Sequence, residues 1–77
     1  MSTFEQLKTV FTSVMPQTDI SNVTLESSIT GDLGVDSLHM VLLAIALEDA
    51  FKVRFEGVPL FKTVGDIVDF LDKNRPQ

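Results

Sequence analysis

The segment 37–51 constrains the fold most, because it has apolar residues on more than one side of a helix. One set at i, i+3, i+4, i+7 and i+11 forms a complete core stripe: Met40, Leu43, Ala44, Leu47 and Phe51. A second set on a neighbouring side has the same kind of spacing: Leu38, Val41, Leu42 and Ile45. A chain of 77 residues has one small core, so we predict a helix from Ser37 to Phe51 with an apolar side left over.

Two further helices are predicted on either side of this segment. Ser2 and Glu5 fit a capping box, and a helix should run from there to about Met15. Thr63 caps a final helix. Asp66 lies near the start of that helix, where the positive end of the helix dipole stabilises a negative charge. The apolar stripes are Phe4, Leu7, Val10, Phe11 and Val14 in the first helix, and Val64, Ile67, Val68 and Leu71 in the last.

The connections are predicted to be loops. Residues 16–36 are rich in Thr, Ser, Asn, Asp and Gly, and we expect a long loop containing one or two helical turns. Scattered apolar residues should hold this loop to the core: Ile20, Val23, Leu25, Ile29 and Leu33. Residues 52–56 alternate like a strand, but no second strand is available to pair with them, and residues 59–62 fit a single helical turn. The sequence thus predicts an all-α fold, a small three-to-four-helix bundle, with residues 1–77 forming one domain.

Charge and composition exclude several functions. A net charge of −5 would repel nucleic acids and anionic membranes, and it favours a basic protein partner. The absence of cysteine excludes a disulfide scaffold, a zinc module built on thiolates and a thiol enzyme. The longest apolar run, residues 40–47, is far shorter than the about 20 residues that cross a bilayer. With no secretory signal visible, we expect a cytoplasmic monomer without a bound metal.

Ser37 is the first candidate for a functional side chain. A serine nucleophile needs a positioned base, and His39, two residues further along the helix, points in a different direction. No glycine-rich phosphate loop, paired histidine ligands or nucleophile elbow occurs in the chain. We therefore expect a substrate or scaffold protein and not an enzyme.

Residues 31–38, Gly-Asp-Leu-Gly-Val-Asp-Ser-Leu, closely resemble the modification site of acyl carrier proteins, where Asp-Ser-Leu begins the second helix. Residues 47–51 and 63–71 are also similar to that family, and the resemblance covers essentially the whole chain. It implies the helical bundle of acyl carrier proteins and a 4′-phosphopantetheine arm, derived from coenzyme A, on Ser37. The terminal thiol of that arm would hold an acyl group as a thioester.

The start of the second helix suits an anionic group on its own physical grounds. A phosphodiester at the first helical position would lie beside unpaired N–H groups and the positive end of the helix dipole. By resemblance, Asp36 and Leu38 belong with Ser37 to the motif that a phosphopantetheinyl transferase recognises, and Asp36 would also cap the helix.

The chain departs from the family along the exposed side of the second helix, where typical members carry acidic residues that basic partners read. His39 and Leu42 stand at positions that are often acidic, and only Glu48 and Asp49 keep the pattern. We therefore predict specialised acyl-loading and acyl-accepting partners that dock largely by apolar burial. The predicted docking residues are His39, Val41, Leu42, Ile45, Glu48 and Asp49.

Three functions remain open at this point. The first is an acyl carrier for fatty acid, polyketide or lipid-modifying pathways, which the acidity and the wider match favour. The second is an aminoacyl or peptidyl carrier with the same arm. The third is an unmodified helical adaptor that binds a protein groove through Leu38, Leu42 and Ile45, and it would survive Ser37→Ala.

Overall fold

The computed structural model describes residues 2–57 and 61–74. Within these ranges the chain forms three α-helices: α1 (Thr3–Val14), α2 (Ser37–Phe51) and α3 (Val64–Asn74). The prediction of an all-α bundle is confirmed, and α2 has the bounds that its apolar pattern predicted. Each described helix falls short of the length and apolar character that crossing a membrane would require.

Side chains cap the helices where the sequence predicted them. The Ser2 hydroxyl accepts a hydrogen bond from the Glu5 N–H at 3.1 Å at the start of α1. At α3 the Asp66 N–H donates to Thr63 Oγ1 at 3.2 Å, and the Thr63 N–H donates to Asp66 Oδ2 at 3.1 Å. This reciprocal pair satisfies two backbone donors that the helix cannot pair itself, and so it fixes the start of α3.

The core lies where α1 packs against both α2 and α3. The predicted stripe of α2 is buried, as are most of the stripes of α1 and α3, while Phe4, Val14 and Val68 lie half-buried at its edge. The fully buried side chains from the helices are Leu7, Phe11, Leu43, Leu47, Ile67, Leu71 and Val64.

The long loop between α1 and α2 supplies part of this core. Ile29 is completely buried, and Leu33 and Val35 are nearly so, which confirms that apolar residues hold the loop in place. Leu25 is an exception, because 48% of its surface is exposed. No helix forms inside the loop, whose backbone bonds close single turns, but one of them, from the Asp32 N–H to the Ser28 carbonyl at 3.1 Å, has the i→i−4 spacing of a helical turn. Its many Ser, Thr, Asn and Asp side chains favour such turns by bonding to nearby backbone, as Asp19 does with the Ser21 N–H at 2.9 Å.

Backbone hydrogen bonds join this loop to the start of α3. The Ile29 N–H donates to the Lys62 carbonyl at 2.9 Å, and the Val64 N–H donates to the Ser27 carbonyl at 3.0 Å. The Gly65 N–H donates to the Leu25 carbonyl at 2.7 Å, and a Cβ at Gly65 would lie 3.0 Å from that same oxygen. This close approach of two backbones explains the glycine at position 65.

Residues 52–56 form a loop, as predicted, and not a strand. Phe55 from this loop stacks on Phe70 of α3 with ring centroids 4.9 Å apart, and Phe61 meets Phe70 edge-on at 5.8 Å. The helical turn predicted at 59–62 lies partly outside the described residues, since 58–60 are not among them, and residues 61 and 62 are not helical.

Candidate functional site

Ser37 is exposed to solvent at the first position of α2. Contacts with the core hold the segment before it in place. Gly34 has a φ of +69°, in the left-handed region that glycine adopts without steric cost. Next to it, Val35 is buried, and its N–H donates to the Ile29 carbonyl at 3.1 Å. Asp36 then has the extended backbone of an N-cap residue, so Ser37 lies at the surface two residues after a buried anchor.

Asp36 caps α2 through one carboxylate oxygen. Its Oδ1 accepts the His39 N–H at 2.8 Å and lies 2.8 Å from the His39 ring nitrogen Nδ1. The backbone hydrogen bond from His39, followed by the contact with its ring, holds the pKa of the Asp36 carboxyl below its usual value. Asp36 is therefore ionised at neutral pH and stabilises the positive end of the helix.

The first turn of α2 can hold an anionic group on Ser37. The first backbone bond of the helix runs from the Met40 N–H to the Asp36 carbonyl at 2.8 Å. The N–H groups of Ser37 and Leu38 come before it and have no acceptor within the helix, because every helix start leaves such donors. A phosphodiester on the Ser37 hydroxyl fits this donor set and the helix dipole.

The structure gives His39 a different role from that of a catalytic base. Its ring contacts Asp36, and its side chain is half-buried. Across residues 2–57 and 61–74, no three His, Cys, Asp or Glu side chains are grouped to hold a metal ion.

The second apolar set of α2 is exposed to solvent. Leu38 is 65% exposed and Ile45 59%, while Leu42 and Val41 are 44% and 38% exposed. We call these four residues the apolar ridge; it begins directly after Ser37. The prediction of an apolar side left over is confirmed, because the small bundle does not bury the second side of α2.

The two acidic residues predicted for docking differ in their surroundings. Asp49 is exposed, whereas Glu48 is half-buried and its Oε2 accepts the Phe55 N–H at 2.8 Å. Glu48 therefore also holds the loop that follows α2. Sequence reasoning missed this contact because it reaches across the end of α2, where Lys52 turns the chain with a φ of 58°.

Two surface grooves adjoin the ends of α2, and no sequence pattern predicted either. A groove of about 380 Å³ lies between α1 and the start of α2, and it is lined by residues 14–18, Gly34 and His39. A groove of about 700 Å³ lies at the other end and is lined by Ile45, Glu48, Asp49, Lys52, Val53 and Arg54.

Comparison with known proteins matches most of the chain to one family. Residues 5–71 match the sequence model of the family described as "Phosphopantetheine attachment site". The chain is 36% identical over 77 residues to the "Acyl carrier protein" of Helicobacter acinonychis (strain Sheeba), with 97% of each chain covered. It is also 36% identical over 75 residues to the "Acyl carrier protein" of Onion yellows phytoplasma (strain OY-M), covering 95% of this chain and 97% of that one.

A third relative, the "Acyl carrier protein" of Syntrophobacter fumaroxidans, is 46% identical over 55 residues, covering 69% of this chain and 68% of its own. Members of this group are carriers and not catalysts, and their working group is a covalently attached 4′-phosphopantetheine. The family match and the similarity to these relatives show that the chain, with its exposed serine at the start of α2, belongs to the acyl carrier protein family.

Proposed function

We propose that Ser37 carries the 4′-phosphopantetheine arm, and that residues 1–77 act as one carrier domain. The protein presents an acyl thioester to enzymes of fatty acid, polyketide or lipid-modifying biosynthesis. The observation that carries this proposal is the exposed Ser37 hydroxyl at the first position of α2, beside a cap that Asp36 supplies. Asp36 and Leu38 complete the motif that we expect a phosphopantetheinyl transferase to recognise.

The residues of the chain have defined tasks around the arm. When attached, the arm supplies the thiol that holds the acyl group, which this chain without cysteine lacks. The N–H groups of Ser37 and Leu38 stabilise the negative charge of the phosphodiester. Asp36 keeps the helix start in place by capping it. The buried Val35 anchors the segment before the serine, so a transferase meets a preformed site.

We propose that partner enzymes dock along the apolar ridge, with His39 and Glu48 at its edges and Asp49 at its far end. Complete burial of an apolar side chain of this size contributes about 1.5–3 kcal/mol, and the ridge residues are already partly buried. Association costs about 4–15 kcal/mol in lost translational and rotational freedom. The combined contribution of the four side chains is close to the lower end of that range. The ridge alone therefore supports transient docking, which suits a carrier that visits one enzyme after another.

The partner surface should contain an apolar groove with a basic group opposite Asp49. The four exposed apolar side chains favour such a groove, whereas the net charge of −5 opposes pairing with a second copy of the chain. Housekeeping enzymes that read an acidic helix should bind this chain poorly, so we propose a dedicated synthase or transferase as its partner.

Intact mass spectrometry tests the attachment site. Incubation with coenzyme A and a broad-specificity phosphopantetheinyl transferase should add one phosphopantetheinyl group to the wild type and to Ser13→Ala, which removes an exposed hydroxyl in α1. Ser37→Ala should gain nothing. If the wild type also gains nothing while the same transferase modifies another carrier, the attachment proposal fails and the adaptor function takes its place.

A loading assay with housekeeping fatty acid enzymes tests the docking proposal. The modified wild type should be loaded and elongated slowly, and Leu42→Glu should raise the rate by adding an acidic side chain to the ridge. Leu25→Glu places the same change at an exposed apolar residue outside α2 and should leave the rate unchanged. Efficient turnover of the wild type would contradict a dedicated partner. Loading by an amino-acid-adenylating enzyme instead would identify an aminoacyl carrier.

A further inference from the structure

We propose that His39 is a positioning residue for attachment of the arm, and that it acts through Asp36. The ring and the backbone N–H of His39 together hold one carboxylate oxygen of Asp36, so that the other oxygen is presented to the phosphopantetheinyl transferase. This inference rests on the proposed attachment at Ser37 and on the proposed recognition of Asp36 by that enzyme.

The carboxylate of Asp36 is held twice by the same residue. Its Oδ1 accepts the His39 N–H at 2.8 Å, and the ring nitrogen Nδ1 of His39 lies 2.8 Å from the same oxygen. An ionised carboxylate can only accept hydrogen bonds, so Nδ1 carries the hydrogen of this contact. One hydrogen bond would fix Oδ1 but let the rest of the carboxylate turn about it. The second donor, which comes from another direction, restricts that rotation.

The other carboxylate oxygen is available to a partner. Within residues 2–57 and 61–74, Oδ2 of Asp36 accepts no hydrogen bond from another residue, and 66% of the side chain is exposed. Ser37, the residue to be modified, follows directly in the chain. A carboxylate that is oriented in advance loses less conformational entropy when a basic group of the transferase binds it. The contact with His39 should therefore lower the KM of the transferase for this carrier.

The surroundings of His39 leave Asp36 as the charged partner of its ring. The groove that His39 shares with α1 is lined by residues 14–18 and Gly34, none of which has a charged side chain. Asp32, the other carboxylate in segment 31–36, is turned to the Ser28 N–H, which it accepts at 2.7 Å. Only 39% of the His39 side chain is exposed, so the uncharged wall of the groove also limits the positions that the ring can take.

Steady-state kinetics of transfer from coenzyme A by the broad-specificity transferase test this role. His39→Ala removes the ring but keeps the backbone N–H that caps α2, so its melting curve should stay close to that of the wild type. We expect it to raise the KM for the carrier about 3- to 10-fold, the worth of one hydrogen bond, with kcat unchanged. His39→Asn has an amide nitrogen that can take the place of Nδ1, and its KM should stay close to the wild-type value. Gln17→Ala truncates an exposed side chain of the same groove and should leave the KM unchanged.

A double-mutant cycle measures whether His39 acts through Asp36. Asp36→Ser keeps a helix cap but removes the carboxylate. In this background His39→Ala should have no further effect on the KM. An equal rise in KM in both backgrounds would overturn the proposal, because it would mean that His39 contacts the transferase itself.

The remaining outcomes separate this proposal from the proposed function. If mass spectrometry shows no arm on Ser37 of the wild type, the proposed function fails, and the role of His39 falls with it. If Ser37 is modified but His39→Ala has wild-type kinetics, the positioning role alone is overturned. A KM for His39→Asn as high as that for His39→Ala would overturn it as well, because the hydrogen bond to Asp36 would then not be what matters.

Discussion

A single carboxylate oxygen of Asp36 receives both the backbone N–H and the ring of His39, so the start of α2 depends on the charge of one side chain. The pKa of Asp36 is lowered in the folded protein, first by the His39 N–H. A lowered pKa stabilises the fold above the unfolded-state pKa, and this contribution is lost as pH falls through the folded-state pKa.

We therefore predict that the melting temperature falls more for the wild type than for Asp36→Asn between about pH 6 and about pH 3. Asparagine also caps helices but does not titrate in this range, so it keeps the hydrogen bond without the pH dependence. Circular dichroism melts over this range measure the difference. Equal losses in the two proteins would show that other carboxylates, such as Asp19 with its similarly lowered pKa, account for the acid sensitivity.

At the scale of single residues, the sequence predicted contacts between near neighbours and missed those between distant ones. Asp36 and Thr63 were identified as caps because a cap and its donor lie within three residues. The bond from Phe55 to Glu48 was not predicted, because it depends on the path of the chain after Lys52.

At the scale of elements, the two sides of α2 have different tasks. Leu43 is completely buried and Leu42, its neighbour in the sequence, is 44% exposed. We predict that Leu43→Ala lowers the free energy of unfolding by about 2–5 kcal/mol, because it leaves a cavity in the core. Leu42→Ala should change it by no more than about 0.5 kcal/mol.

Urea denaturation of both variants measures these changes in stability. The loading assay with partner enzymes measures what Leu42 contributes to docking. Leu42 should matter for partner binding, whereas it should matter little for folding. Similar stability losses for Leu42→Ala and Leu43→Ala would contradict the exposed position of the ridge.

The sequence predicted the helices well and the long loop only in part. Helix periodicity specified α2 to the residue, because its cap and its core stripe agree on the same bounds. In the loop, burial of Ile29 was predicted from its apolar character, but the same reasoning failed for Leu25. An isolated apolar residue has no period to show which way it points, so tertiary contacts decide its burial.

At the scale of the whole molecule, acidic residues outnumber basic ones by eleven to six. In the part of the chain that the structure describes, the one close acid–base contact is between Asp36 and His39. Most of the negative charge therefore lies on the surface without a paired cation, and mutual repulsion destabilises the folded state.

We predict that added sodium chloride raises the melting temperature at neutral pH, because screening weakens this repulsion. Most of the gain should appear by about 0.15 M, where the screening length falls to about 8 Å. Calorimetry across a salt series at constant pH measures the effect. A melting temperature that stays constant or falls with salt would show that the surface charges do not limit stability.

The bonds between the long loop and the start of α3 also determine how the molecule can open. Residues 28 and 63 form an isolated antiparallel bridge, so the chain between them, with α2 inside, is a closed ring joined at one point. Closing a ring of this length costs entropy that local helix formation does not, so the bridge should form late in folding. In hydrogen exchange, the Ile29 and Val64 amides should then lose protection in the same opening event, because both belong to this closure. The helix that carries Ser37 therefore lies inside a loop of chain that one bridge closes, in addition to its own packing against α1.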